Sequence, residues 1–293
     1  MTLYKVLVVG AGGMLATAVE STLGPVFAVT ALTKAQLDIT DRNAVFRAMD
    51  SVKPDVLINT AAYTNADECE KKQDMAIQTN GTAVGYLAQA AKAIDARIIH
   101  ISTDYIFDGE KEGRYREDDK PNPLSVYGRS KLLGEQELVR FTDNYIIIRT
   151  QWMFGENRDN FVDTILKLAR EKDELRVVDD QYGSPTYTKD VAAIIKWFVE
   201  HNRVKARVFH FSNEGIVSRF GFAQEILKLA GVRTRLVPVA TSAFPRPARR
   251  PYNSALDKTE ILQVTGMSIR PWQEALYEYL KNTGKIASCR PPS

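Results

Sequence analysis

The sequence predicts an α/β fold of the Rossmann type, with a doubly wound parallel sheet and a smaller α/β domain. Over the first half of the chain, short apolar segments alternate with amphipathic helical segments, a pattern typical of parallel sheets joined by crossover helices. In addition, the first apolar segment runs directly into a glycine-rich turn and then a helix. This order of elements presents backbone N–H groups to a pyrophosphate, so residues 1–150 are expected to bind a dinucleotide.

The elements of this first domain follow from the periodicity of its apolar residues. Strands are expected at residues 4–9, 26–32, 55–59, 97–102 and 144–149. Helices are expected after the glycine turn, around Val45 and Met49, from Asn80 onwards, and from about Ser125 to Arg140. Residues 111–123 are polar and contain two prolines, so they are expected to form a surface loop over the edge of the sheet.

Beyond Thr150 the regular alternation of strands and helices weakens. Helices are expected at residues 160–170, 190–201, 218–230 and 271–280, and a strand at residues 208–211. We assign residues 151–284 mainly to a substrate-binding domain, with some segments returning to the Rossmann sheet. Residues 285–293 are expected to be a flexible tail.

Composition and charge exclude several classes of function. A formal net charge of +3 without long basic runs gives no nucleic-acid-binding footprint. No apolar stretch is long enough to span a membrane, and the N-terminus is not expected to be a signal peptide. Cys69 and Cys289 are far apart and the three histidines are isolated, so no metal site is predicted. This cysteine usage suits the reducing cytoplasm, where the protein is expected to reside.

Tyr127 and Lys131 are expected to act as an acid/base pair. The apolar residues after them recur at helical spacing, and positions i and i+4 share one face of a helix. A free phenol titrates near pH ~10, and an ammonium about 4 Å away would stabilise the phenolate by roughly 4 kcal/mol at an effective dielectric of about 20. This interaction would bring the phenol towards neutral pH. Because such pairs also arise by chance on amphipathic helices, the rest of the chain has to supply the context.

The glycine turn predicts which groups hold the dinucleotide. Its spacing is Gly10-x-x-Gly13-x-x-Ala16, in which the alanine can pack helix against strand in place of a third glycine. NAD-selective folds usually end the second strand in an acidic residue that binds the ribose 2′-hydroxyl. Here the strand ends in Thr33-Lys34, and a cation suits a 2′-phosphate. NADPH is therefore predicted to be preferred over NADH, with a merely solvated Lys34 as the alternative.

Three further segments are predicted to lie along the cofactor. Asp38 and Ile39 follow the second strand and are placed to contact an adenine. Small residues follow the third strand in Asn59-Thr60-Ala61-Ala62-Tyr63, where they let a bulky ligand approach the backbone. The fourth strand ends in Ser102-Thr103-Asp104, so the Thr103 hydroxyl reaches the same edge of the sheet and can bond a substrate carbonyl.

Taken together, these motifs resemble the extended short-chain dehydrogenase/reductase superfamily. Longer strings resemble the dTDP-4-dehydrorhamnose reductase family within it, from about residue 4 to about residue 282. They are Leu37-Asp38-Ile39-Thr40-Asp41, Ala61-Ala62-Tyr63-Thr64, Ser102-Thr103-Asp104-Tyr105-Ile106-Phe107-Asp108-Gly109, Arg149-Thr150-x-Trp152, Asp180-Gln181-x-Gly183-x-Pro185-Thr186 and Arg250-Pro251-x-x-Ser254-x-Leu256-Asp257.

The resemblance implies an NADPH-dependent reduction of the C4 ketone of dTDP-4-dehydrorhamnose to dTDP-L-rhamnose. Tyr127 would donate a proton to the developing alkoxide, Thr103 would hydrogen-bond the same oxygen, and Lys131 would lower the pKa of Tyr127 and hold the nicotinamide ribose. The implied cofactor-binding residues are Gly10, Gly13, Met14, Lys34, Asp38, Ile39, Ala61, Ala62, Tyr63, Tyr127 and Lys131. The implied substrate-binding residues are Thr103, Asp104, Trp152 and Arg250.

The roles of two of these substrate residues have stated alternatives. Trp152 matches the tryptophan expected to pack on the deoxysugar, but a core tryptophan is an equally good interpretation. Arg250 would bind the substrate phosphates with its planar donor fork, although Arg246 and Arg249 lie close to it in sequence.

The segment after Asn213-Glu214-Gly215 departs from the family. Related sequences commonly have Ser-Trp-Tyr there, whereas this chain has Ser218-Arg219-Phe220, and the segment lies near the nucleotide end of the substrate. The specificity for base or sugar is therefore open.

Two alternative functions remain at this point. One is a reductase or epimerase of another nucleotide-linked deoxysugar, since epimerases of the superfamily keep the tyrosine and lysine. The other is a non-catalytic NADP-binding regulatory subunit, similar to the β subunit of methionine adenosyltransferase. The intact Thr103, Tyr127 and Lys131 favour an enzyme. A homodimer and a monomer are equally admissible.

Overall fold

A six-stranded parallel sheet lies at the centre of the computed structural model, which describes residues 4–286. The described strands are β1 (Lys5–Val9), β2 (Ala28–Leu32), β3 (Val56–Asn59), β4 (Arg97–Thr103), β5 (Tyr145–Thr150), β6 (Met153–Phe154), β7 (Glu174–Val178), β8 (Tyr182–Gly183), β9 (Thr186–Tyr187), β10 (Arg207–His210), β11 (Val217–Ser218) and β12 (Arg235–Val239). The sheet has the order β10-β5-β4-β3-β1-β2, and every pair in it is parallel. The predicted Rossmann-type sheet is confirmed.

Helices cover both faces of this sheet, as expected for a doubly wound fold. The described α-helices are α1 (Met14–Leu23), α2 (Arg42–Val52), α3 (Ala66–Lys71), α4 (Gln73–Ile77), α5 (Ala83–Ala93), α6 (Val126–Phe141), α7 (Phe161–Glu171), α8 (Thr188–Glu200), α9 (Arg219–Ala230), α10 (Thr259–Thr265) and α11 (Trp272–Asn282). Alternate residues of β1 enter opposite core clusters because successive side chains of a strand point to opposite faces. Val6 and Val8 pack with α1 and α8, whereas Leu7 and Val9 pack with α2, α5 and α6.

A separate apolar cluster lies in the second half of the chain. It is built from α7, α9, α11 and β7, with Phe222, Trp272 and Leu276 among its buried side chains. Three two-stranded pairs accompany it, β7 with β12, β8 with β11, and β6 with β9. Two segments of this half join the first, since β10 pairs with β5 and α8 packs against α1.

The predicted element boundaries agree with the structure to within about two residues, except between residues 60 and 82. Helices α3 and α4 were not predicted, nor was α10 in the second half of the chain, and the prediction that Asn80 begins a helix is wrong. Asn80 lies inside a π-helical turn, Gln78–Thr82, which connects α4 to α5. The polar composition of residues 65–74 concealed the first of these helices, because α3 buries only Cys69.

The predicted tail lies mostly outside the described residues. Lys285, which was assigned to it, donates a hydrogen bond from Nζ to Asp163 Oδ1 at 2.6 Å. Residues 287–293 are outside the described part of the chain. Between residues 4 and 286, no helix is both long and apolar enough to cross a membrane.

Candidate active site

The predicted site residues come together at the carboxyl edge of the sheet. The register of the sheet places the carboxyl ends of its strands side by side. Val9 lies opposite Asn59, Asn59 opposite His100, and Thr103 opposite Thr150. The glycine turn after β1, the small residues after β3 and Thr103 at the end of β4 therefore share one edge. Ligands of open α/β sheets bind at this edge.

Helix α6 is fixed against this edge by caps and by close backbone contacts. Ser125 caps its first turn, with Oγ accepting a hydrogen bond from Gly128 N at 3.2 Å. A Cβ on Gly128 would lie 2.1 Å from Tyr105 O, so the helix can approach the loop after β4 only because this residue is glycine. The same argument holds for Gly134, where a Cβ would lie 2.2 Å from Asn80 O.

Lys131 is buried beneath the sheet edge with its ammonium group directed at β4. Its side chain is 2% exposed, and Nζ donates to Ile101 O at 2.6 Å and lies 3.3 Å from His100 Nε2. His100 Nδ1 is in turn 3.0 Å from Asn59 Nδ2. Burial lowers the pKa of Lys131 to about 8, against the opposing effect of the Glu135 carboxylate one helical turn further on.

Tyr127 lies one turn before Lys131, as predicted, but its acidity differs from the prediction. Burial raises the pKa of the phenol above its usual range, and the Thr103 hydroxyl acts in the opposite direction. The expected lowering of this pKa by Lys131 is wrong, because the ammonium faces Ile101 and His100 instead. Tyr127 is therefore held as a neutral phenol, the form that can donate a proton.

Thr103 is hydrogen-bonded to Asp104, a residue that was predicted to bind substrate. Thr103 Oγ1 donates to Asp104 Oδ1 at 3.0 Å and accepts from Tyr105 N at 3.2 Å. Asp104 is 2% exposed, and its Oδ2 has no hydrogen-bond partner among the described residues. Burial raises the pKa of Asp104 to about 6, against the opposing effect of the hydrogen bond from Thr103. The geometry places Asp104 as an orienting partner of the threonine hydroxyl.

The glycine turn has the form that a dinucleotide phosphate requires. Gly10 has a φ of +91°, and a Cβ there would lie 2.7 Å from Ala61 N. The N-cap of α1 is Gly13, which has no side chain to bond the first amides of the helix, and the first turn contains no acidic residue. These free N–H groups and the positive end of the helix dipole suit an anionic group. The predicted Gly10, Gly13 and Met14 thus form a cradle.

The residues predicted to bind the ribose and adenine follow β2, whose end is hydrogen-bonded to this cradle. Gly10 N and Ala11 N both donate to Leu32 O at 3.1 Å, which ties the turn to the end of β2 just before Lys34. Lys34 is exposed. Asp38 accepts from Thr40 N at 3.0 Å and is partly exposed, whereas Ile39 is 5% exposed and packs in the core with Leu37. Ala61, Ala62 and Tyr63 are partly exposed along the same edge.

A cavity of about 1000 Å³ opens on the substrate side of this edge. Its walls include Tyr105, Phe161, Gln181, Arg219, Arg250 and Tyr252. Thr103, Tyr127 and Lys131 do not line it themselves. Tyr127 lies next to the cavity wall, because the ring of Tyr105 contacts it edge-on at a centroid distance of 5.4 Å.

The predicted substrate residues Trp152 and Arg250 occupy different parts of this region. Trp152 has a φ of +45° and packs closely on Gly183, where a Cβ would lie 2.7 Å from the indole Cε2. Arg250 lines the cavity but forms a two-point ion pair with Asp67, at 3.3 Å from Nη1 to Oδ1 and 3.0 Å from Nη2 to Oδ2. Its Nη1 also donates to Ala248 O at 2.9 Å.

Comparison with known proteins gives a consistent result across the whole chain. The family model described as the RmlD substrate binding domain matches residues 4–284. The dTDP-4-dehydrorhamnose reductase of Aggregatibacter actinomycetemcomitans is 42% identical over 93% of this chain and 97% of that protein.

The chain belongs to the dTDP-4-dehydrorhamnose reductase family.

Two other relatives extend this finding. The spore coat polysaccharide biosynthesis protein SpsK of Bacillus subtilis is 43% identical over 94% of this chain and 97% of that protein. The crystal structure of the Bacillus anthracis dTDP-4-dehydrorhamnose reductase in complex with NADP has a TM-score of 0.92 and 33% identity, covering 96% of this chain and 100% of that chain. The predicted membership of this reductase family and the prediction of an NAD(P)-dependent oxidoreductase are confirmed.

Two residues that hold the reductase site together were missed by the sequence reasoning. Asn80 accepts from Tyr63 N at 2.7 Å and donates from Nδ2 to Tyr63 O and to Ser130 Oγ, both at 3.0 Å. Ser130 Oγ donates to Tyr127 O at 2.8 Å. This chain of bonds ties the cofactor edge to the helix that carries Tyr127 and Lys131. The only available signal was the Asn80-Gly81 pair, which was interpreted as a helix start.

The departure from the family at residues 219 and 220 now has a structural description. Phe220 packs against the apolar cluster of the second half. The Arg219 guanidinium lies over the Trp152 ring, with Cζ 3.5 Å from the ring centroid, and over Phe161 at 5.3 Å. One face of the Trp152 ring, which was predicted to pack on the deoxysugar, is thus covered by the Arg219 guanidinium. The sequence did not predict this contact.

Proposed function

We propose that this chain reduces the C4 ketone of dTDP-4-dehydrorhamnose to dTDP-L-rhamnose with NADPH as the preferred hydride donor. The observation that supports this most is the placement of Thr103, Tyr127 and Lys131 at one sheet edge beside a glycine cradle, in a chain of the reductase family. A purely regulatory subunit has no chemical need for these three groups. Residues 151–284 outside the sheet are proposed to supply most of the substrate contacts.

The residues of this chain have distinct roles in the proposed reaction. When bound, the reduced nicotinamide supplies the hydride. Tyr127 holds the proton that the developing alkoxide needs, since burial keeps the phenol protonated. Thr103 donates its hydroxyl hydrogen to Asp104 Oδ1, and in the proposed reaction this hydrogen turns from the carboxylate to the reacting oxygen. Lys131 lies one helical turn after Tyr127 with its ammonium buried against β4, and we assign it to hold the nicotinamide ribose.

The cofactor preference is proposed on the position of Lys34. This lysine follows the end of β2, to which the glycine turn is hydrogen-bonded, and no acidic residue stands in its place. A cation there favours the 2′-phosphate of NADPH over the free hydroxyl of NADH.

The direct test mixes the purified protein with dTDP-4-dehydrorhamnose and either NADPH or NADH, and follows the loss of reduced-nicotinamide absorbance together with the product mass. We expect oxidation of the cofactor and a product that has gained one hydride and one proton. Tight NADPH binding without turnover of this substrate would contradict the proposed reaction. Turnover of another 4-keto nucleotide sugar alone would reassign the substrate.

A further inference from the structure

Arg219 is a partly exposed cation that forms no ion pair among the described residues. Its guanidinium lines the substrate-side cavity and lies on the Trp152 ring. Among residues 4–286, the charged side chains that act on it are Asp104, which favours the cation, and Arg250, which opposes it, and neither forms an ion pair with it. Burial lowers the pKa of Arg219 to about 10, so desolvation of this charge is incompletely offset.

Apart from the aromatic rings beneath it, the position of Arg219 in the fold does not favour a cation. Arg219 is the first residue of α9, and a positive charge in the first turn of a helix is disfavoured by the helix dipole. Arg250 lines the same cavity, and each guanidinium makes the other less favourable. Two cations on one cavity wall are accommodated best when an anion lies between them.

The two arginines differ in what their donors already contact. The Arg250 fork is occupied by Asp67 and by Ala248 O, and Arg246 lies 3.8 Å from the same carboxylate. The Arg219 guanidinium lies over the Trp152 ring, and its N–H groups donate no hydrogen bond to another described residue. Arg219 is therefore the partly buried guanidinium of this cavity whose N–H donors are available to a doubly charged ligand, whereas Arg176 and Arg249, which also line the cavity, are exposed.

We propose that Arg219, rather than Arg250, is the main contact for the diphosphate of the nucleotide sugar. This inference rests on the proposed function, because it names the residue that recognises the same substrate. In a nucleoside diphosphate sugar, the diphosphate is bonded directly to the sugar ring. The Arg219 guanidinium lies on Trp152, the residue predicted to pack on the sugar, and is thus placed beside the diphosphate. Its charge-assisted, forked hydrogen bonds suit the phosphate oxygens.

The test measures binding without chemistry. Calorimetric titration of the NADP⁺-loaded protein with dTDP and with thymidine isolates the contribution of the diphosphate. The variants are Arg219→Gln, Arg219→Lys and Arg250→Gln, with Arg176→Gln as a matched control because Arg176 lines the same cavity and is exposed. Thermal unfolding of each variant checks that it is folded.

We expect Arg219→Gln to weaken dTDP binding roughly 10- to 100-fold while thymidine binding changes less than about twofold. Arg219→Lys recovers part of the loss, and Arg250→Gln and Arg176→Gln have smaller effects. An unchanged ratio of dTDP to thymidine affinity in Arg219→Gln, or a larger loss in Arg250→Gln, would overturn the inference and leave the proposed function intact. If the unmutated protein binds UDP but not dTDP, and if UDP binding depends on Arg219, the proposed nucleotide is overturned but the diphosphate contact is supported. Failure to bind any nucleoside diphosphate would overturn both.

Discussion

Replacing Glu135 by Gln removes the charge of a buried ion pair behind the active site. Arg149 Nη2 lies 2.7 Å from Glu135 Oε2, and the two side chains are 5% and 6% exposed. Glu135 also accepts a hydrogen bond from Ser102 on β4. The variant keeps the size and the acceptor oxygen of the side chain but leaves the guanidinium buried without a carboxylate. Breaking such a pair costs about 3–5 kcal/mol.

Urea unfolding measures this cost through the extrapolated free energy of unfolding. A matched control lies on the same helix, since Glu137 pairs with Arg140 at 3.5 Å and the Arg140 side chain is 69% exposed. Glu137→Gln should therefore cost less than about 1 kcal/mol. Replacing both Glu135 and Arg149 by Met should recover much of the loss, because no unpaired charge then remains. A change below about 1 kcal/mol in Glu135→Gln would refute the reasoning.

Further predictions concern the helix contact, the pH profile and the cofactor preference. Gly128→Ala places a Cβ 2.1 Å from Tyr105 O and should lower thermal stability and activity together, whereas activity at the level of the unmutated protein would contradict the close contact. The kcat/KM for the reduced cofactor should fall as pH rises through about 8, because burial holds the pKa of Lys131 near that value and the charged form is lost above it. Tyr127 should cause no second fall in kcat/KM in this pH range, since burial raises its pKa. A kcat/KM that stays constant between about pH 7 and 9.5 would contradict the role given to the charge of Lys131. Lys34→Glu should lower the ratio of kcat/KM for NADPH over NADH at least about tenfold, and an unchanged ratio would mean that the lysine is only solvated.

The fold was predictable because its main signals are local. Buried parallel strands are continuous apolar segments, and a glycine turn between strand and helix is a short string of residues. The two-stranded pairs of the second half were not predictable in this way. Val217–Ser218 pairs with Tyr182–Gly183, so each strand has only two residues and a partner more than 30 positions away.

The residues of the site were predictable, but their electrostatics were not. Spacing alone placed Tyr127 and Lys131 on one helical face. The direction of the Lys131 ammonium depends on His100 and on the Ile101 carbonyl, which come from a strand 30 positions earlier. Burial of Tyr127 depends on the whole fold, so a calculation on the isolated pair gave the wrong sign for its pKa shift.

The placement of Arg219 could not be foreseen for a similar reason. The sequence showed that a cation replaces an aromatic residue of the family, but its contact with Trp152 joins the start of α9 to a residue 67 positions away. The left-handed backbone of Trp152, with φ +45°, also has no sequence signal, because a large aromatic residue rarely adopts it.

The central claim is that Tyr127 delivers the proton at a site built from β4 and α6. It is tested most directly by comparing kcat for dTDP-4-dehydrorhamnose in Tyr127→Phe and in Tyr145→Phe, a control at the opposite, amino end of β5. We predict that kcat falls about 10²- to 10⁴-fold in Tyr127→Phe, with NADP⁺ affinity within about threefold, and stays near normal in Tyr145→Phe. If Tyr127→Phe keeps more than about one-tenth of the activity, the proton comes from another group and the account is contradicted.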